Sequence, residues 1–408
     1  MRESFTWEII RMPLITDRSY LDPVLPESLP ASIINSADEL PRKIEFLAGR
    51  LSPETSVRVA ELLRLTNSYY SNLIEGQYTK IADLQRAQNA PKRDRKQLTD
   101  LAVQHVEEQA VLERAMRRYQ GDSFSAMFDP TLLEKIHYRL FKHASPESLT
   151  LEDGRRMSPG CLRAEDNEQV RVGQHAAPAA AAVRPMLLHL QSSFGRITDP
   201  RRRLIAILAN HHRTAFVHPF LDGNGRVTRM QTHLQLCYLG LRPMLWSLSR
   251  GLARRHEDYY RHLALADSPR QGDLDGRGQL SQRHYFGFIE FMLDVCHDQV
   301  DYMTEALNTV TLRARLTKVF QYNEQLQRSG VRPTTAPAVL ALLTQGSMPR
   351  SDFKIFTGLN PRQASDELSA LVSLGVVHSE SPKARIIEPG LPAWFAGEIF
   401  PELHRRFQ

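Results

Sequence analysis

The sequence predicts a mainly α protein with one short β-hairpin in its middle and a small helix-plus-hairpin module at its C-terminal end. Three observations carry that prediction. Apolar residues recur at helical spacing from about residue 40 to about residue 325. One run, Gln169 to Gly173, alternates like a strand and is followed by Pro178 and an alanine tract. Beyond Pro333 the elements become short and closely punctuated.

The elements follow in chain order. Residues 1 to about 40 are proline-rich, with Leu25-Pro26 and Leu29-Pro30, and read as an extended segment wrapped on the core. A helix follows from Ser52, a capping residue, with Pro53 at its first position. Val59, Leu63, Thr66, Tyr70 and Leu73 or Ile74 give it an apolar face, and Gly76 suits the left-handed position that ends it. A hairpin is expected around 166 to 177. Val227, Met230, Leu234, Cys237 and Tyr238 outline an amphipathic helix from about Arg226 to Leu239. Arg270 to Leu280 is rich in Gly and Asp and reads as a loop; it has too few acidic positions for a calcium loop and no closing Glu. Near the C-terminus, Ala336 to Leu343, Arg350 to Phe356 and a segment opened by Asn360-Pro361 read as helices. Val376-Val377 and Arg385 to Ile387 flank Ser379 to Lys383 as a hairpin. Three helices and a hairpin suggest a winged helix-turn-helix. Its third helix carries Arg362 but also Asp366 and Glu367, so both DNA binding and protein docking stay open.

Composition bounds the function. A chain of 408 residues holds two or three domains. No apolar run spans a bilayer and no signal-peptide pattern opens the chain, so no membrane partner is expected. Cys161, Cys237 and Cys296 form no framework, which fits a cytoplasmic protein. The net charge of +6 is compatible with nucleic acid or nucleotide partners. The clusters Lys92 to Lys96 and Arg201 to Arg203 read as solvated surface.

The densest chemistry lies at His-Pro-Phe-Leu-Asp-Gly-Asn-Gly-Arg-Val-Thr-Arg, residues 218 to 229. Gly223 and Gly225 flank Asn224 and free the backbone at a turn that opens a helix. Such a turn presents unpaired N–H groups and the positive end of the dipole, which bind phosphate. Asn224 adds an amide donor. Arg226 and Arg229 share a helix face and can grip neighbouring phosphates. Asp222 is a hard carboxylate suited to Mg²⁺ shared with phosphate oxygens. His218, with an ordinary pKa, can take a proton from an attacking hydroxyl. No GxxxxGK[ST] occurs, and adjacent His211 and His212 diverge on a helix, which argues against zinc.

This segment resembles the signature of the Fic (Fic/Doc) family, His-x-Phe-x-[Asp/Glu]-Gly-Asn-Gly-Arg-x-x-Arg, and meets every fixed position. The resemblance implies an all-helical core over residues 111 to 325, behind an N-terminal extension over 1 to 110 and ahead of a winged-helix-like domain over 333 to 400. It implies transfer of AMP from ATP to a Ser, Thr or Tyr hydroxyl of a target protein, with Mg²⁺, or Mn²⁺ in its place. His218 would be the base, Asp222 the metal ligand, Arg226 the clamp on the inner phosphates and Arg229 the clamp on the γ-phosphate. Phe220 would anchor the loop in the core. The hairpin would be the flap that aligns the target by strand addition. Tyr259-Tyr260-x-x-Leu263 matches a segment that contributes to the adenine pocket. Ser71-Asn72-Leu73-Ile74-Glu75-Gly76 resembles the family's inhibitory motif, in which Ser71, Glu75 and Gly76 are the fixed residues. Glu75 would then pair with Arg229 in a bidentate manner and misalign ATP. A homodimer hiding the flap is also implied. Two other readings compete: AMP removal or transfer of another phosphate-linked group at the same site, and a DNA-binding regulator with a degenerate Fic domain.

Overall fold

The computed structural model describes residues 14–90, 97–116, 123–173 and 175–406. The basic cluster Lys92 to Lys96 lies outside them. Helix dominates the described residues, and no helix among them is long and apolar enough to cross a membrane.

The N-terminal region departs from expectation. Helix α1 (Ala31–Ala48) begins directly after Pro30. Ile33, Ala37, Leu40, Ile44 and Leu47 form a buried stripe at helical spacing, and that stripe outweighs the prolines around it. Pro41 sits inside the helix. The extended segment therefore ends at Pro30, ten residues earlier than the proline content suggests.

Helix α2 (Pro53–Ile74) is capped by Ser52, whose hydroxyl accepts from the Thr55 N–H at 3.2 Å. It is buried nearly all round, including Leu62, Leu63, Asn67, Tyr69 and Tyr70. It ends where Gly76 takes φ +75°. The Gly76 N–H donates to the Leu73 carbonyl at 3.0 Å and the Gln77 N–H to that of Asn72 at 2.9 Å, the paired pattern of a glycine-closed helix. Helices α3 (Ile81–Asn89), α4 (Gln97–Met116) and α5 (Pro130–Phe141) follow. A long loop then carries the hairpin of β1 (Arg171–Val172) and β2 (His175–Ala176), paired antiparallel with Val172 opposite His175. The hairpin is narrower than the expected 166 to 177, because Asp166–Glu168 forms a 3-10 turn.

Helix α6 (Val183–Gly195) leads to α7 (Pro200–Val217) and α8 (Asn224–Tyr238), which pack against each other and meet at the loop 218–223. Arg202 and Arg203 are not free surface charges. Arg202 donates to the carbonyls of Pro26 and Glu27, and Arg203 to that of Ile197 while lying over the Phe124 ring. Helices α9 (Leu248–Arg254), α10 (His256–Ala266) and α11 (Gln282–Ala306) close the core, and α1 packs on α11 and α7. Helix α12 (Thr309–Tyr322) follows, and the short α13 (Glu324–Arg328) spans residue 325.

Beyond them lie α14 (Ala336–Gln345), β3 (Met348–Pro349), α15 (Arg350–Thr357), α16 (Pro361–Ser373), β4 (Val377–His378), β5 (Ile386–Pro389) and α17 (Ala393–Ile399). The strands form an antiparallel sheet in the order β3-β5-β4. Strand β3 and helix α17 are additions to the sequence reading. Glu367, one of the two acidic residues read on the third helix, is buried and accepts from Thr335 and the Arg332 N–H. Among the described residues, one large hydrophobic core draws on residues from Leu21 to Leu403, and a smaller second cluster joins Leu65, Leu84, Ala102, Val103 and Val106.

Candidate active site

The signature loop leaves α7 through a residue in an unusual conformation. His218 has φ +49° and ψ +63°, left-handed space that costs a residue with a Cβ about 1–2 kcal/mol. A buried arginine holds it there. Arg163 is 2 % exposed, and its Nε donates to the His218 carbonyl at 2.8 Å. Its two terminal nitrogens reach the carbonyls of Val217 (3.1 Å), Pro178 (3.2 Å) and Glu168 (3.1 Å). One side chain thus ties His218 to both ends of the hairpin. Burial lowers its pKa to about 10, so it stays a cation at neutral pH.

The floor of the loop is His137. It accepts the Gly160 N–H at Nδ1 (2.7 Å), which leaves Nε2–H to donate to the Asp222 carbonyl at 3.2 Å. Its ring stacks on Phe220, centroids 4.0 Å apart, and Phe220 is fully buried, as its expected anchoring place requires. Gly223, at φ +78°, is needed on two counts: a Cβ there would also come within 2.5 Å of the Phe141 ring. Asn224 serves the loop itself. Its Nδ2 donates to the Phe220 carbonyl (2.8 Å) and its Oδ1 accepts the Phe220 N–H (2.9 Å). The amide expected to face phosphate is engaged in shaping the turn, and the backbone N–H groups opening α8 are the donors that could meet an anion.

The two signature arginines have different surroundings. Arg226 lies 4.7 Å over the Phe141 ring and 3.5 Å from Asp222, and its buried Nε has no hydrogen-bond partner among the described residues. Arg229 is fully engaged. Its Nε donates to Ser71 Oγ (3.0 Å), and one terminal nitrogen to the Ser71 carbonyl (2.8 Å) and to Glu75 Oε1 (2.7 Å). The carboxylate contact is single, not bidentate: Glu75 meets one terminal nitrogen, which it shares with the Ser71 carbonyl. A Cβ on Gly225 would collide with the Glu75 carboxylate, so this glycine permits the approach. Burial works to raise the Glu75 pKa, but Arg229 beside it wins and holds the carboxyl below its ordinary range.

These groups meet at a cavity of about 460 Å³ lined by Glu75, His218, Asn224, Gly225, Arg229, Tyr259 and Tyr260, with Val172 and His175 of the hairpin. A larger hollow of about 840 Å³ between α12, α13 and α17 holds none of the signature residues, so chemistry and not size picks the site. Burial first, then the positive charges of Arg163 and His175, push the His218 pKa down to about 3. It is therefore neutral at pH 7, more firmly than an ordinary histidine. Tyr259 is buried and bonded to His211 at 2.8 Å, while Tyr260 is exposed and reaches the Ile74 carbonyl at the end of α2. Asp222 and Arg226 do not line this cavity. Asp222 has about half its side chain in solvent. No cluster of three or more metal-ligating side chains occurs among the described residues. A lone exposed carboxylate fits Mg²⁺, which takes one or two protein oxygens and completes its shell from phosphate and water.

Sequence reasoning missed Arg163, His137, His175 and Asp267. His175 of β2 sits 3.0 Å from Asp267, which also accepts from His212 at 2.9 Å. That bond and the His211 contacts with Thr232 and Tyr259 account for the paired histidines without zinc.

Residues 127–236, which span the loop, α7 and most of α8, match the Fic/DOC family. This part of the chain is therefore a Fic/DOC domain. No curated protein matches the chain. Among solved structures, it is similar to a Fic family protein from Desulfovibrio desulfuricans G20 (20 % identity, 89 % of this chain and 97 % of that one, TM-score 0.49). It is also similar to a Fic domain containing signaling protein from Bacteroides thetaiotaomicron (14 %, 67 % and 97 %, TM-score 0.48). A third is Fic-1, residues 134–508, from C. elegans (16 %, 67 % and 70 %, TM-score 0.41). The helix that carries Ser71 and Glu75 lies outside the matched Fic segment.

Proposed function

We propose that this Fic protein is a protein adenylyltransferase held in check by Glu75. The observation that supports the reading best is the placement of Glu75 on Arg229 in the cavity that also holds the neutral His218. A neutral imidazole can accept the proton of a target Ser, Thr or Tyr hydroxyl. The hydroxyl oxygen bonds to the α-phosphorus of ATP, the bond from that phosphorus to the bridging oxygen breaks, and pyrophosphate leaves. The N–H groups at the start of α8 face the phosphates, and Arg226 and Arg229 balance their charge. Asp222 would hold Mg²⁺, which supplies further neutralisation of the phosphates when bound. Tyr260 and Leu263, which line the cavity, suit a flat purine. The flap edge at Arg171 and Val172 is exposed and open to an added strand.

The brake acts on position. With Arg229 given to Glu75 and Ser71, the γ-phosphate loses its clamp and the α-phosphate loses in-line alignment. Because Glu75 lines the same cavity as His218, its carboxylate can also orient a water, so AMP removal is the competing reading.

The test uses ATP labelled separately at the α- and γ-phosphate, with wild type, Glu75→Gly and Glu75→Gly/His218→Ala. Label entering protein from the α-position alone, strong in Glu75→Gly and absent from the double variant, is expected. Label from neither position in any variant would sink the reading and turn attention to a pre-modified substrate.

A further inference from the structure

The flap has two residues per strand, too few to hold its own shape in water. Its first strand is exposed and its second half-buried. The side chain that joins β2 to the body is His175. Its Nδ1 lies 3.0 Å from Asp267 Oδ2 and its Nε2 lies 2.9 Å from the Phe216 carbonyl oxygen. Its ring stands edge-on to Phe216 at 5.1 Å. Both neighbours are acceptors. A carbonyl oxygen cannot donate, and Asp267 is held ionised: burial works to raise its pKa, but the hydrogen bonds from His175 and His212 bring it down to about 2. Two acceptors require two N–H groups, and a neutral imidazole has one.

We infer that His175 is a positioning residue: as an imidazolium bridging Asp267 and the Phe216 carbonyl, it latches the flap edge that orients the target, and the latch opens when it loses its proton. The docking part of this inference rests on the reading under Proposed function; the latch itself does not. The groups around the ring are consistent with a cation. Asp267 faces it from the end of α10. His212 of α7 donates Nε2–H to the other oxygen of Asp267, and its Nδ1 has no partner among the described residues, as befits a neutral ring. His218 is neutral, and Arg163 is occupied by four carbonyls. Tyr20 stacks on Phe216, with its phenol pKa raised first by burial and then by Asp267, so it stays uncharged. Across the cavity the charge of Glu75 is spent on Arg229. Burial opposes the charge on His175, yet its bonds to Asp267 and Phe216 prevail and its pKa is raised. A raised histidine pKa means the latch is complete below the ordinary histidine value and is lost as pH rises through the higher folded-state value.

The test uses the full-length protein with ring-¹⁵N histidine, titrated by NMR from about pH 6 to about pH 9. His175→Gln identifies the resonance. Amide exchange of residues 169–178 is measured alongside. Two protonated ring nitrogens at neutral pH are expected, with proton loss above the ordinary histidine range. Flap exchange at least about tenfold faster in His175→Ala and Asp267→Asn is expected too, with residues 218–229 unchanged. A single protonated nitrogen throughout, or flap exchange indifferent to His175→Ala, overturns the latch. Target docking is tested in the Glu75→Gly background, with a His218→Ala copy of the protein as acceptor. His175→Ala is expected to raise the acceptor concentration needed for half-maximal transfer while leaving that for ATP unchanged. Equal transfer at every acceptor concentration overturns the docking role. If Glu75→Gly transfers nothing at all, the adenylyltransferase reading fails, and the NMR and exchange results still decide the latch.

Discussion

The two walls of the cavity are built in opposite ways. On one side Ser71 and Glu75 stand at the end of α2, a helix of 22 residues buried on nearly every face. On the other stands a hairpin of two residues per strand, held by the ring of His175 and by Arg163 beneath it. The proposed brake would thus be part of a stiff body, and releasing it would mean breaking side-chain contacts while the helix stays in place. The flap is a local unit that can loosen alone. Under the proposed function, nucleotide alignment and target docking would then be controlled separately.

The largest effect expected is at Arg163, where the flap wall meets His218. Arg163→Met keeps the bulk but leaves four buried carbonyls without their donor, an expected loss of about 3 kcal/mol or more. Urea unfolding would read this as a lowered midpoint, and flap amides would exchange faster. An unchanged midpoint would mean that the left-handed His218 is secured by something other than Arg163. On the brake wall, Glu75→Gly frees Arg229 and should raise label transfer by roughly a hundredfold, about 2.7 kcal/mol, with flap exchange unaltered. Faster flap exchange in that variant would merge the two walls into one. Ser71→Ala removes a single hydrogen bond to Arg229, about 0.5–1.5 kcal/mol. Activation by only a few-fold is expected, seen in initial rates; no activation would leave Glu75 as the sole anchor.

The smallest effect is on acid exposure. Because Arg229 depresses the Glu75 pKa against the pull of burial, the pair contributes stability above the ordinary carboxylate range, and that contribution is lost as pH falls through the depressed value. Amide exchange at the end of α2 should quicken in acid more in wild type than in Glu75→Gln. The flap latch has the opposite sign and weakens in alkali.

How legible each wall is in the sequence follows from the same difference. The loop 218–229 can be read because its chemistry is contiguous: a helix-opening turn, a carboxylate and two arginines need no distant partner to be recognised. Glu75 can be read as a helix end closed by Gly76, and its motif points across 154 positions to Arg229. Arg163 cannot be read in this way. It sits in an ordinary Cys-Leu-Arg-Ala stretch, and its importance arises from carbonyls that the fold brings to it, the farthest 55 residues away. His175 and Asp267 likewise become partners only after α10 packs beside the hairpin. Local pattern also misled in places. Prolines hid the buried stripe of α1, the Asn224 amide turned inward to shape its loop, and Glu367, counted among the third helix's charges, is buried.

The most direct measurement is the affinity for ATP relative to ADP, by calorimetry, in wild type and Glu75→Gly. If Glu75 withholds Arg229 from the γ-phosphate, wild type should bind the two nucleotides about equally, while Glu75→Gly should prefer ATP by about tenfold or more. The same ratio in both proteins would contradict the brake, and with it the account of how this site is held inactive.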